Sequence, residues 1–137
     1  MKVFVDANVL ISVLNKEYPL FTFSSRILSL TNAGTHQLYT SALALAIAFY
    51  FSSKKSGERM AKKKIGLLIE NMTLTTIDHE VSKKAIKDKR VHDFEDGIQY
   101  YSALKSSCGI IITEEASDFY FSEIPVVGCE DFILNYL

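Results

Sequence analysis

The run Val3-Phe4-Val5-Asp6-Ala7-Asn8-Val9-Leu10 decides how this chain folds. Val3 to Val5 is a short apolar run of the kind a buried strand needs. An acid follows at once. After it, Val9, Leu10, Val13 and Leu14 recur at helical spacing, with Asn8 available as a cap. Asp6 therefore stands where a buried strand gives way to a helix. In open α/β sheets that carboxyl edge is where ligands are bound and chemistry is done.

Working outward, the same alternation continues to the end of the chain. Strand candidates are Lys2–Val5, Gln37–Thr40, Thr73–Ile77, Gly109–Ile112 and Pro125–Val127. The uninterrupted Ile110-Ile111-Ile112 suits a strand covered on both faces. Helical spacing predicts helices over Val9–Leu14 and Phe21–Leu30. It predicts another over Ala42–Phe51 with Ser41 as cap, and one from a Ser56 cap to about Glu70. Further helices are expected at His79–Lys87 behind Asp78, at Phe94–Ser106 behind Asp93, and at Glu130–Tyr136. Strands alternating with helices imply a parallel sheet with helices on both faces, a three-layer α/β/α arrangement. Right-handed crossovers bring every strand's carboxyl end to one edge.

The chain has 137 residues, a length that fits a single domain over 1–137, and 48% apolar residues are enough for a core. A net charge of −1 points to no partner class by itself. Cys108 and Cys129 form no CxxC pair and read as small core residues of a reduced, cytoplasmic protein. Asp6 and Asn8 interrupt any signal-peptide core, and the apolar run Ala42–Phe51 is shorter than the roughly 20 residues that span a bilayer, so no membrane association is expected.

Acids gather at the predicted junctions. Asp6 follows the first strand, Asp93, Glu95 and Asp96 open the sixth helix, and Thr113, Glu114, Glu115 and Asp118 follow the fourth strand. Each alone reads equally as a turn or cap residue. Together, carboxylates from separate elements suit Mg²⁺ or Mn²⁺, which take oxygen ligands and keep several waters. An ion held there can activate a water and hold a phosphate oxygen, so the expected reaction is phosphodiester hydrolysis.

The same residues resemble the PIN domain family, which includes ribonuclease toxins of the VapC type. Val3-Phe4-Val5-Asp6-Ala7-Asn8-Val9-Leu10 is similar to the family's opening. Asp93-Phe94-Glu95-Asp96-Gly97 with Ala103 resembles its "Asp-Phe-x-Asp-Ala" helix. Ile110-Ile111-Ile112-Thr113 with Asp118-Phe119 resembles its third motif, and Pro125-Val126-Val127 with Glu130-Asp131-Phe132 its ending. The resemblance implies a sheet in the order 3-2-1-4-5 and an acidic pocket that binds Mg²⁺ or Mn²⁺ and cuts RNA. Carried over by position, it implies Asp6, Asp96 and Asp118 as catalytic and metal-binding acids. Asp93 would be an accessory metal acid, and Asn8 and Thr113 supporting neighbours. An antitoxin partner and a homodimer are further expectations.

Two departures bear on activity. Many members carry a Glu in the third helix, where Ala46 and Ile47 stand here; a subgroup lacks it. Glu114 and Glu115 replace the usual Arg and Asn, which leaves Glu115 as either an extra ligand or a source of repulsion at the rim. The alternative reading is therefore a PIN-like module that binds RNA or a protein and cuts weakly or not at all.

Charge is segregated along the chain. Residues 54–64, with Lys54, Lys55, Arg59 and Lys62, carry a net +5, and residues 83–90 carry +4, whereas 113–131 carry −6. The first stretch is the expected RNA grip, beside an acidic cutting site; it reads otherwise as a solvated helix face. Tyr50, Phe51, Tyr100 and Tyr101 can stack bases or pack internally, and the aromatic early helices suit a partner chain. A receiver domain would need a Lys in the region that Glu114 occupies, and no GxGxxG follows the first strand, which disfavours a dinucleotide enzyme.

Overall fold

The computed structural model describes all 137 residues, apart from the side chain of Ala33. It begins with β1 (Lys2–Val5), α1 (Ala7–Leu14) and α2 (Phe21–Ser29), then a 3₁₀ turn at Leu30–Ala33. Next come β2 (Gln37–Ser41), α3 (Ala42–Ser56), α4 (Glu58–Asn71) and β3 (Thr73–Thr75). α5 (His79–Lys87), α6 (Phe94–Lys105), β4 (Ile110–Ile112), a 3₁₀ turn at Ala116–Phe119, β5 (Val126–Val127) and α7 (Cys129–Tyr136) complete the chain. The five strands are parallel in the order β3-β2-β1-β4-β5, as the resemblance implied.

β1 lies at the centre because it can be covered from both sides. Val3 and Val5 join Ile110 and Ile112 in a core with Leu10 of α1, Ile27 of α2, Leu45 and Ala48 of α3 and Phe132 of α7. Phe4 and Ile111 point the other way, into a core with Tyr100 and Ala103 of α6 and the aromatics Phe119 and Phe121. Period-two alternation thus feeds two separate apolar layers, giving the expected α/β/α stack. At the back of the second layer α6 passes close to α5. A Cβ added at Gly97 would stand 2.7 Å from Val91 Cγ1 and 3.1 Å from Ala85 Cβ.

Several boundaries differ from the sequence expectation. α3 runs on to Ser56 rather than stopping at Phe51. Its serines are accommodated within the helix: Ser53 donates its hydroxyl to the Tyr50 carbonyl one turn back, at 2.9 Å. Ser56 is therefore the last residue of α3, and Gly57, at φ 86°, separates the two helices. β3 stops at Thr75, not Ile77, because its partner β2 ends at Ser41, which turns away to cap α3. α1 is capped by Asp6, not Asn8. α7 starts at Cys129. Both cysteines are free and buried, and burial pushes each thiol up to about 12. No described helix is long and apolar enough to cross a membrane.

Candidate active site

The β1–β4 register builds the site. Val5 pairs with Ile112, and the Asp6 N–H donates to the Ile112 carbonyl at 3.0 Å, so Asp6 and Thr113 leave the sheet side by side. The Thr113 hydroxyl donates to Asp6 Oδ2 at 2.8 Å, and the Ala7 N–H donates to Asp6 Oδ1 at 2.8 Å. Asn8 Nδ2 donates to Thr113 Oγ1 at 2.9 Å and to Asp6 Oδ2 at 3.4 Å. In return, Asn8 Oδ1 accepts from the Glu114 N–H at 3.1 Å. Two loops more than a hundred positions apart are thereby laced together around one carboxylate. Burial nevertheless raises the Asp6 pKa, and the negative charge of Asp118 adds to it; the hydrogen bonds from Thr113 and Ala7 only partly offset this.

The second acidic wall is the start of α6. Asp93 caps it, with Oδ1 accepting from the Glu95 N–H at 2.9 Å and the Asp96 N–H at 3.4 Å. The cap sets Glu95 and Asp96 in the first turn. A cleft of about 190 Å³ opens between this turn, the end of β1 and the 3₁₀ turn after β4. Five carboxylates line it: Asp6, Glu95, Asp96, Glu115 and Asp118. Asn8, Gln99, Ile11 and Ile47 fill the remaining walls, and no lysine or arginine reaches it.

The electrostatics are those of acids crowded without a counter-charge. Asp96 is pushed up to about 7, first by burial and then by the charges of Asp93, Asp118, Asp6 and Glu95. The Glu95 pKa is raised by burial, then by Asp93 and Asp6. Acids that resist ionising together are stabilised by a cation placed among them. Among the described residues no three acidic, imidazole or thiol groups close into a ready-made cage. The donor set still fits a hard ion such as Mg²⁺, which prefers oxygen, keeps several waters and is held by one or two carboxylates rather than a full protein shell.

Asp6, Asp96 and Asp118, expected from sequence, share this cleft, and Glu115 joins them. Asn8 and Thr113 hold Asp6 in place. Asp93 does not line the cleft; it is engaged as the α6 cap. Glu114 also departs from expectation. Its Oε2 accepts from the Cys129 N–H at 2.8 Å, so it caps α7 and only Glu115 adds charge to the cleft. Glu95, counted among the acids of the sixth helix but given no role, lines the cleft, and Gln99 joins it unexpected. Their signal lay in helical spacing: Gln99 is three residues after Asp96 and shares its face. Ile47, one of the two positions where the resemblance would put an acid, lines the cleft as an apolar wall.

The basic residues lie elsewhere. None of Lys54, Lys55, Arg59 and Lys62 touches the acidic cleft. Lys55 Nζ donates to the Asn15 carbonyl at 2.6 Å and Lys64 Nζ to the Leu14 carbonyl at 2.8 Å, so these two ammonium groups close the C-terminal end of α1. Lys54 Nζ sits 4.5 Å from the centre of the exposed Tyr50 ring. Arg59 faces a groove of about 470 Å³ with Ser56, Met60 and Lys63. Tyr100 is core, and the Tyr101 hydroxyl donates to Asp88 at 2.7 Å, which leaves Tyr50 and Phe51 as the exposed pair among the four aromatics.

A PIN domain family model matches residues 2–117. The chain belongs to the PIN domain family. Over 135 residues it is 28% identical to "Ribonuclease VapC1" of Aquifex aeolicus, an alignment covering 96% of this chain and 92% of that protein. The fold is shared with solved structures. VapBC2 from Rickettsia felis, bound to a DNA fragment from its promoter, gives a TM-score of 0.72 at 14% identity, covering 92% of this chain and 97% of that one. VapBC-1 from Haemophilus influenzae gives 0.70 at 15%, covering 95% and 99%. Mycobacterium tuberculosis VapC20, a toxin that cleaves the sarcin-ricin loop, gives 0.66 at 16%, covering 89% and 98%. These likenesses are of fold; in the present chain the sheet order β3-β2-β1-β4-β5 places the ends of β1 and β4, and with them Asp6 and Asp118, at one edge.

Proposed function

We propose that this PIN domain protein is a metal-dependent endoribonuclease and acts as the toxin of a toxin-antitoxin pair. The observation that carries the reading is the convergence of Asp6, Asp96 and Asp118, from three distant segments, in one cleft without a basic side chain. Asp6, Asp96 and Asp118 would hold Mg²⁺ or Mn²⁺, with Glu95 and Glu115 at the margin. The bound ion supplies an activated water and charge neutralisation of the phosphate. Thr113 and Asn8 fix the Asp6 carboxylate, and the α6 cap fixes Asp96, so the acids face the cleft before substrate arrives. The exposed face carrying Lys54, Arg59 and Lys62 holds the RNA backbone outside the cleft. Exposed Tyr50, Phe51 and Met60 on α3 and α4 offer apolar area for an antitoxin helix or a second copy of the chain. The two reduced, buried thiols suit a cytoplasmic setting.

RNA cleavage is measured with Mg²⁺ or Mn²⁺, with chelator, and with the Asp6→Asn variant. Cleavage by the native protein alone, and only with metal, is expected. A native protein that leaves RNA intact, or cutting that survives in the variant, overturns the reading.

One observation favours the alternative, a PIN-fold binding module. Ile47, which with Ala46 stands about where the family resemblance would put a glutamate, lines the cleft instead. Calorimetric titration with Mn²⁺ separates the two readings. Uptake accompanied by turnover excludes the inert module, whereas RNA binding with neither metal uptake nor cleavage favours it.

A further inference from the structure

An acidic cleft that cuts RNA must receive a phosphate that its own walls repel. Ionised carboxylates accept hydrogen bonds and donate none. Asn8 is engaged at both ends, its Nδ2 on Thr113 and Asp6 and its Oδ1 on the Glu114 N–H. Gln99 is the remaining side chain in the lining that carries N–H donors.

Gln99 is 2% exposed and sits one turn after Asp96 on α6. Its Oε1 accepts from the Ser41 hydroxyl. Ser41 Oγ in turn accepts from the Ala44 N–H at 2.9 Å, so its single proton is available for Gln99. The Ser41 proton fixes this orientation of the carboxamide: the amide oxygen meets the hydroxyl, and the N–H end is directed away from it. Among the described residues the Gln99 Nε2 donates to no acceptor. Nor is it one of the fully enclosed unpartnered side-chain atoms, which are Asn15 Oδ1 and Ser52 Oγ. It therefore meets the open space of the cleft that Gln99 lines. A nearly buried amide whose other end is pinned by a second residue is a donor held ready for a ligand.

We propose that the Gln99 carboxamide receives a non-bridging phosphate oxygen of the RNA strand, with Ser41 as the residue that positions it. The inference rests on the nuclease reading above and adds to it a substrate contact outside the acids. A neutral donor suits the place. It binds the phosphate without neutralising the carboxylates that hold the cation, as a lysine or arginine there would.

The test separates substrate binding from metal binding. Gln99→Glu preserves side-chain length and the acceptor for Ser41 but puts an oxygen where the donor was. Gln99→Met removes the donor without adding charge. For a short single-stranded RNA, both variants are expected to raise KM about tenfold or more, with a smaller change in kcat. Calorimetric Mn²⁺ affinity is expected to be unchanged in Gln99→Met and unchanged or tighter in Gln99→Glu. In the native protein, the Gln99 side-chain amide resonances are expected to shift when the RNA is added with Ca²⁺ in place of Mg²⁺. Variants that melt like the native protein and cut RNA with its KM overturn the proposal, as do amide resonances that do not move. The resonance measurement decides the matter if either variant fails to fold. A native protein that cuts no RNA sinks the nuclease reading itself and this contact with it, an outcome distinct from active enzyme with indifferent Gln99 variants.

Discussion

Asp96 shows how one side chain couples stability to pH. Its pKa is about 7 in the folded protein against an ordinary 3.8. Between about pH 4 and pH 7 the native state keeps a proton that the unfolded chain has lost, so stability falls as pH rises through this window and levels off above it. The ceiling on the effect is on the order of 4 kcal/mol, because one unit corresponds to about 1.4 kcal/mol and the group is partly solvated. In chelator, Asp96→Asn is expected to melt higher than the native protein at pH 8 and to lose most of that advantage at pH 4.5. Equal melting temperatures at pH 8 would remove the account. The same deprotonation makes cation uptake strengthen as pH rises toward 7. That Asp6, Asp96 and Asp118 meet in one cleft was partly legible in the sequence, because Asp6 and Asp118 follow apolar strands and Asp96 opens a helix behind the Asp93 cap. The destination of Glu114 was not. It depends on where α7 begins in space, and nothing local to Thr113-Glu114-Glu115 says which glutamate turns outward.

At the scale of elements, caps and close approaches do different work. Glu114→Ala removes the carboxylate that receives the Cys129 N–H at the start of α7. The expected loss is about 1 kcal/mol, read as a lower denaturation midpoint, with RNA cleavage unchanged. Glu115→Ala is expected to do the reverse, weakening metal binding with little effect on the midpoint. Gly97→Ala pits two effects against each other. Alanine favours the helix by about 1 kcal/mol. Its Cβ would stand 2.7 Å from Val91 Cγ1 and 3.1 Å from Ala85 Cβ, and overpacking of that kind costs about 1–3 kcal/mol. The clash is expected to win, so chemical denaturation should report net destabilisation; a stabilised variant would mean that α5 gives way freely. Helices α5 and α6 were readable in advance because Asp78 and Asp93 announce them. The far end of α3 was not, since Ser52 and Ser53 look like a stop. The end of β3 was not either, because a strand ends where its partner leaves, and that partner is over thirty residues away.

Across the whole molecule, the acidic cleft and the groove beside the α4 bases have no lining residue in common. If the cleft takes up Mg²⁺ as proposed, the ion binds the native state alone, and saturating ion is expected to raise the thermal midpoint by an amount that grows with concentration. The shift should vanish in Asp6→Asn; a shift that persists would place the ion elsewhere. Lys62→Gln is expected to weaken RNA binding and to reduce the slope of log affinity against log salt by about 1, without altering metal uptake. The parallel sheet with its strand ends at one edge was foreseeable from the alternation of strands and helices, whereas the strand order was implied by the family resemblance alone. The turn of Gln99 into the cleft was hidden, because sequence spacing places it on a helix face but only packing says what that face meets.

The central ladder joins segments far apart in the chain: β1 precedes β4, its partner, by more than a hundred residues. A ribosome that has released everything up to α6 has produced Asp6 and Asp96 but not the strand that locks them in place, nor Thr113 and Asp118. On the nuclease reading proposed above, the nascent polypeptide at that stage lacks a complete set of acids, and competence waits for β4 to thread in beside β1.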